Sequence, residues 1–138
     1  MFKNLFNKKP VVFQAENLDT YPNKDKYFIR IKPWDWLDKK QIYVASKIND
    51  EPTMITMEFW SQEIFLDADG QITVSQFIDI ACKQYVDSKM PIPDKLDSVL
   101  IDLLEDLVNE VKFVEFRDGK TGLPENIRLP MSKQVSKL

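Results

Sequence analysis

Carboxylates are the most abundant groups in this chain that could take part in catalysis, and histidine, the most common general base, is absent. Without histidine the chain cannot form a Ser–His–Asp or Cys–His arrangement. Two-acid hydrolysis needs two carboxyl groups held across a cleft, in environments that separate their pKa values. Asp102, Asp106 and Glu110 follow one another at four-residue intervals, which places them on one solvated helix face. We therefore predict that the protein is not an enzyme and that it uses no cofactor.

One acidic segment is similar to the middle of a calcium-binding EF-hand loop. This segment, Asp67-Ala68-Asp69-Gly70, would place Gly70 at the sharp turn in the sixth loop position. The first and twelfth positions would then be Phe65 and Gln76, and neither supplies the carboxylate that calcium needs. The single cysteine, Cys82, would have only carboxylates as companion ligands for zinc. We therefore expect no metal site, and we expect Cys82 to be a small core residue.

Charge is distributed unevenly along the chain. Residues 51–116 carry fourteen acidic and four basic side chains, whereas residues 1–50 and 117–138 are net basic. Specific DNA binding relies on lysine and arginine contacts to phosphate, which an acidic segment repels. Aromatic residues near lysines, as at Trp34-Asp35-Trp36, can bind single-stranded nucleic acid, but they more often pack a sheet against helices. We therefore predict that nucleic acid is not the partner, and that the basic ends fold back onto the acidic helical face.

Three short segments rich in β-branched and aromatic residues predict strands, at Val11–Phe13, Tyr27–Lys32 and Gln41–Ala45. Pro33 ends the second strand because proline cannot donate to a ladder. Trp34–Trp36 belongs to the predicted turn that follows. The short loops between these segments indicate one small antiparallel sheet.

The apolar period changes in the middle of the chain. Residues 54–66 fit either a helix with Thr56 as its N-cap or one long strand, and both remain open. Gly70 suits a left-handed cap at the end of such a helix. Thr73 and Gln76 form a capping-box pattern, which predicts the start of a second helix.

The strongest helical pattern begins at Pro93 or Asp94. Its apolar stripe consists of Leu96, Val99, Leu100, Leu103, Leu104, Leu107, Val108 and Val111. Its polar side carries Asp94, Asp97, Asp102, Glu105, Asp106 and Glu110. Alternation resumes at Phe113–Phe116 and predicts a closing strand. The predicted fold class is α+β, with a small antiparallel sheet followed by a three-helix winged-helix-like unit and a closing strand.

The length of 138 residues fits one domain. We predict a flexible N-terminal arm over residues 1–10, a single α+β domain over residues 11–118 and an extended C-terminal tail over residues 119–138. No apolar run reaches the length of a membrane span, although contact of the N-terminal arm with a membrane stays open. The lone cysteine fits a reducing compartment, so we predict a cytoplasmic protein.

The segments Asp69–Ile78 and Leu100–Leu107 resemble PqqD-like peptide-recognition modules, in which an aspartate–glycine turn, a threonine cap and a leucine-rich last helix recur. The resemblance covers residues 27–116. It implies a winged-helix-like, non-catalytic adaptor that takes a peptide as an added strand beside its third strand, here Gln41–Ala45. The peptide-binding residues would then be Ile42, Tyr43, Val44 and Leu100.

The predicted function is therefore binding of a protein or peptide. Two alternatives remain. One is a structural or oligomerisation domain, which forms a homodimer through exposed leucines or edge strands. The other is a DNA-binding winged-helix regulator that reads DNA with the helix after Pro93.

Overall fold

A computed structural model describes residues 16–135, and the side chains of residues 17–134. It contains α1 (Glu16–Asp19), β1 (Tyr27–Arg30), β2 (Trp34–Trp36), β3 (Ile42–Ile48), β4 (Glu51–Ile55), α2 (Phe59–Asp67), β5 (Asp69–Thr73), α3 (Val74–Asp87), α4 (Leu96–Glu105), a π-helical segment (Asp106–Glu110), β6 (Val114–Arg117), α5 (Glu125–Arg128) and α6 (Met131–Val135). The α+β class is confirmed. The predicted arm at residues 1–10 and the predicted strand at Val11–Phe13 lie outside the described residues.

The strands form two antiparallel three-stranded sheets instead of one. Sheet A has the order β5-β1-β6 and sheet B has the order β2-β3-β4. The chain passes from sheet A to sheet B between Ile31 and Pro33. The Ile31 N–H donates to the Phe113 carbonyl in sheet A at 2.9 Å, whereas the Pro33 carbonyl accepts from the Ala45 N–H in sheet B at 2.9 Å. Because proline has no N–H, Pro33 separates the two ladders.

The segment at residues 54–66 is divided between a strand and a helix. Asn49 and Asp50 both have positive φ, 52° and 66°, and form the two-residue turn of the β3–β4 hairpin. The strand β4 therefore extends to Ile55. The helix α2 begins at Phe59, and its N-cap is Glu58, whose carboxylate accepts from the Ser61 N–H, instead of the predicted Thr56.

Asp69–Thr73 forms strand β5, where a helix cap and turn were predicted. Gly70 has a φ of 78°, so the predicted positive φ is confirmed, but it lies within β5 and α2 is capped at Ala68. A Cβ on Gly70 would lie 2.0 Å from the Thr121 carbonyl oxygen. The capping box is confirmed, because the Thr73 hydroxyl accepts from the Gln76 N–H and the Gln76 side chain accepts from the Thr73 N–H.

The leucine-lined helix α4 begins at Leu96, after Lys95 in a left-handed conformation, and continues into the π-helical segment. The predicted apolar stripe is wrong at Val99 and Val111, which are 47% and 43% exposed, and the predicted polar face is wrong at Asp97, which is 1% exposed. Its carboxylate accepts from the Leu18 N–H at 3.0 Å and from the Ser98 N–H at 2.9 Å, so it joins α1 to the start of α4. A buried carboxylate is tolerated where backbone donors satisfy it.

The prediction of an extended tail over residues 119–138 is wrong for α5 and α6. The helix α6 packs beside β2, and α5 packs on the domain through Arg30, which is 6% exposed. The Arg30 guanidinium donates to the carbonyls of Leu66, Ile127 and Arg128 at 2.8, 3.3 and 3.2 Å, and the Trp34 indole N–H donates to Ile127 at 2.8 Å. The carbonyls at the ends of α2 and α5 therefore satisfy a buried cation.

Candidate functional site

Three of the four predicted peptide-binding residues lie in the core. Ile42 and Val44 are 0% exposed and Leu100 is 1% exposed, so they cannot line an accessible pocket. Tyr43 is half-buried, and strand alternation places its side chain on the opposite face of sheet B from Ile42 and Val44. The structure therefore separates Tyr43 from the other three predicted residues.

The predicted position of an added strand, beside Gln41–Ala45, is also wrong. Most of this segment lies in β3, the central strand of sheet B. Ile42–Val44 pair with β2, Val44 and Ala45 also pair with β4, and the Ile42 N–H donates to the Gln62 side chain at 2.9 Å. An added strand needs unpaired backbone groups at a sheet edge. Along Val44 and Ala45 the place of the expected peptide is occupied by β4 from the same chain.

Two of the four outer strands are covered by the C-terminal segment. At β2, the Ser132 N–H and hydroxyl donate to the Asp35 carboxylate, each at 2.9 Å, and α6 packs beside the strand. At β5, the Gly70 carbonyl accepts from the Thr121 N–H at 3.0 Å. A third outer strand, β6, pairs with β1 on one side; its first residue, Val114, is buried and its other residues are half-buried.

Of the two outer strands that the C-terminal segment leaves uncovered within residues 16–135, β4 is the more exposed. Ala45 pairs with Met54, and the Ala45 N–H donates to Pro33 on the β2 side. In an antiparallel ladder, the backbone groups of Met54 must then face away from β3. Met54 is 62% exposed, and among residues 16–135 no backbone group pairs with it on this outer side. Pro52 faces the same way but has no N–H to donate.

A concavity of about 450 Å³ lies between the residues that precede β2 and the β3–β4 hairpin. The outer face of sheet B contributes to it. Strand alternation places the side chains of Tyr43, Ala45, Lys47, Pro52 and Met54 on this face. The residues that line the concavity are Lys32, Pro33, Ala45, Ser46, Lys47 and Pro52. This lining includes two lysines and no acid among the described residues, so the concavity is apolar with positive charge at its rim.

A second concavity, of about 530 Å³, meets the first at Lys32. Its lining is Ile31, Lys32, Val108, Lys112, Val114, Glu115, Phe116 and Arg117. The acid in this set, Glu115, is bonded to Arg117. The Lys112 ammonium donates to the Asn109 carbonyl at 3.3 Å. Among residues 16–135, Lys32 and Lys47 take part in no ion pair.

An aromatic recess lies elsewhere, between the start of α2 and the end of α3. Its lining is Phe59, Trp60, Gln84, Tyr85, Ser88 and Met90, and its volume is about 210 Å³. Phe59 is 62% exposed and its ring packs edge-on against Trp60, with a centroid distance of 5.1 Å. The recess has no charged lining residue in the described part of the chain.

The groups with shifted pKa values do not line these concavities. Burial raises the pKa of Asp67 to about 6, with further contributions from Glu63 and Asp69, while Arg30 opposes the shift. Burial also raises the pKa of the Cys82 thiol, which disfavours the thiolate form. In the described residues no group of three or more Cys, Asp or Glu side chains could hold a metal ion.

The sequence patterns did not predict β4, so they did not predict its exposed edge. Asn49-Asp50 was a usable signal, because asparagine and aspartate tolerate the positive φ of two-residue hairpin turns.

No helix within residues 16–135 has the length and apolar character required to cross a bilayer. The chain matches no known family model, no curated protein and no solved structure.

Proposed function

We propose that the protein is a non-catalytic adaptor that binds an extended protein or peptide segment as an additional strand on β4. The proposal rests on the outward-facing backbone of Met54, a residue that is 62% exposed and whose backbone has no partner on this side among residues 16–135. Backbone hydrogen bonds to such an edge provide affinity, and the concave face selects side chains. The resemblance to PqqD-like modules supports the same mode of binding, one strand further out than it implies.

The number of free backbone groups on β4 limits the binding free energy that its edge can provide. The Pro52 carbonyl and the N–H and carbonyl of Met54 could form three hydrogen bonds. At a net value of about 1 kcal/mol each, they provide less than half of the roughly 8 kcal/mol that corresponds to micromolar affinity. Contacts with the outer face of sheet B must therefore supply the remainder.

The experiment is a selection from a displayed library of random peptides, followed by hydrogen exchange measured by NMR. In the free protein we expect the Met54 amide to exchange faster than those of Thr53 and Ile55, which face β3. Bound peptides should protect the Met54 amide. If selected peptides leave that amide unprotected, binding occurs elsewhere and the proposed mode is wrong.

Matched proline variants separate loss of the edge from loss of the fold. Met54→Pro removes an outward N–H and should weaken peptide binding about fivefold or more while the domain stays folded. Met54→Ala keeps that N–H and should retain most of the binding. Thr53→Pro removes an inward N–H and should destabilise the hairpin. Light scattering after size-exclusion chromatography will show whether the edge instead pairs with a second copy, as the oligomerisation alternative predicts.

A further inference from the structure

On the basis of this proposed function, we propose that the partner segment is acidic, and that its carboxylates bind Lys47 and Lys32 while its backbone pairs with β4. The proposed partner is an extended polypeptide with alternating apolar and acidic side chains. Backbone pairing with β4 would not by itself select these side chains.

The first observation is the contrast in charge between the concavities and the rest of the chain. The protein has a net charge of −3, and residues 51–116 are strongly acidic. The two concavities that meet at Lys32 are nevertheless lined by four cations, Lys32, Lys47, Lys112 and Arg117, and by one acid that is already bonded to Arg117. A local positive surface on a negative protein favours an acidic partner.

The second observation is the position of these cations relative to the edge. Lys47 pairs with Pro52 across the β3–β4 ladder, so it lies one strand in from the open edge and on the face that carries Met54. Lys32 lies in the same concavity as both Lys47 and Pro52. Side chains of an added strand alternate between the two faces of the sheet. Every second residue of the partner would therefore lie on the face of sheet B that carries Lys47.

Because part of the lining is apolar, a partner segment with acidic side chains alone would leave that part of the surface without contacts. Pro33, Ala45 and Pro52 line the concavity between the lysines, and Met54 exposes its side chain beside them. These surfaces bind apolar side chains or the stems of long ones. An acidic segment with interspersed aliphatic residues satisfies both the apolar surface and the charges.

The test measures binding of short synthetic peptides in which valine alternates with glutamate, glutamine or lysine. We expect the glutamate peptide to bind most tightly, roughly tenfold more tightly than the glutamine peptide, because several exposed ion pairs each contribute only a few-fold. Added salt should weaken this preference. Lys47→Glu and Lys32→Glu should reverse it. Lys39→Glu changes the same charge in the β2–β3 loop, outside both concavities, and should leave it unchanged.

The outcomes separate the inference from the proposed function. If all three peptides bind equally and Met54→Pro weakens their binding, the edge binds peptides but the acidic preference is wrong. If the glutamate peptide does not bind, or binds unchanged in Lys47→Glu, the inference is overturned, and the library selection still tests the edge. If single-stranded DNA binds in preference to the glutamate peptide and is lost in Lys32→Glu, the site recognises nucleic acid and the inference is also overturned.

Discussion

Replacement of Gly70 by alanine tests how the C-terminal segment is held against sheet A. Gly70 combines a φ of 78° with a Thr121 carbonyl oxygen that lies 2.0 Å from the position of an added Cβ. A left-handed conformation costs an L-residue about 1–2 kcal/mol. The contact with Thr121 is with backbone, so the loop at residues 119–122 must move for alanine to fit.

That movement breaks two hydrogen bonds. The Thr121 N–H donates to the Gly70 carbonyl at 3.0 Å, and the Gln71 side chain donates to the Thr121 carbonyl at 3.3 Å. Each is worth about 1 kcal/mol net. Together with the cost of the left-handed conformation for alanine, we expect Gly70→Ala to lower the free energy of unfolding by about 3 kcal/mol. This corresponds to a decrease in Tm of roughly 10 °C for a domain of this size.

The assay is urea denaturation followed by circular dichroism, with calorimetry for Tm. Two other glycines provide matched controls. Gly119 and Gly122 have no atom within 4 Å of an added Cβ and no positive φ, so Gly119→Ala and Gly122→Ala should change stability by less than about 0.5 kcal/mol. If Gly70→Ala is no less stable than Gly122→Ala, the Thr121 backbone does not pass close enough to Gly70 to exclude a Cβ, and the reasoning is wrong.

The remaining predictions concern a buried cation, a titrating acid and a helix cap. Arg30→Met should lower the free energy of unfolding by about 3 kcal/mol because buried carbonyls lose their donors, and Arg30→Lys should not restore it because an ammonium cannot reproduce the forked geometry; urea denaturation measures both. The folded-state pKa of Asp67, raised from 3.8 to about 6, means that the folded state binds a proton more tightly than the unfolded state. Its contribution to stability is therefore present below pH 4 and is lost as pH rises to about 6, so Asp67→Asn should increase stability at pH 7 and flatten the pH dependence over this window in thermal melts. Thr73→Ala should cost about 1 kcal/mol through loss of the capping box, whereas Ser75→Ala, two residues later in α3, should be nearly neutral; a similar loss in both would contradict a specific capping role.

Local patterns predicted those features that depend on neighbours in sequence. The Thr73 capping box is an example, since each of its hydrogen bonds spans only three residues. The positive φ of Gly70 was predicted as a helix cap, although its actual cause is the passage of Thr121, fifty-one positions away in the sequence. The burial of Asp97 could not be predicted from local patterns either, because its partner Leu18 lies in a distant part of the chain.

Composition and periodicity were enough to predict the α+β class and to exclude histidine-based chemistry. They also placed Leu96, Leu100, Leu104 and Leu107 correctly on the buried side of the long helix, but not Val99 and Val111, which are exposed. The exposed edge of β4 could not be predicted in this way. Pairing of β3 on both sides, wrapping of the C-terminal segment over β2 and β5, and exposure of Met54 all depend on contacts between distant segments. A strand has the same local pattern whether it is central or outermost, so its accessibility follows from its neighbours in space.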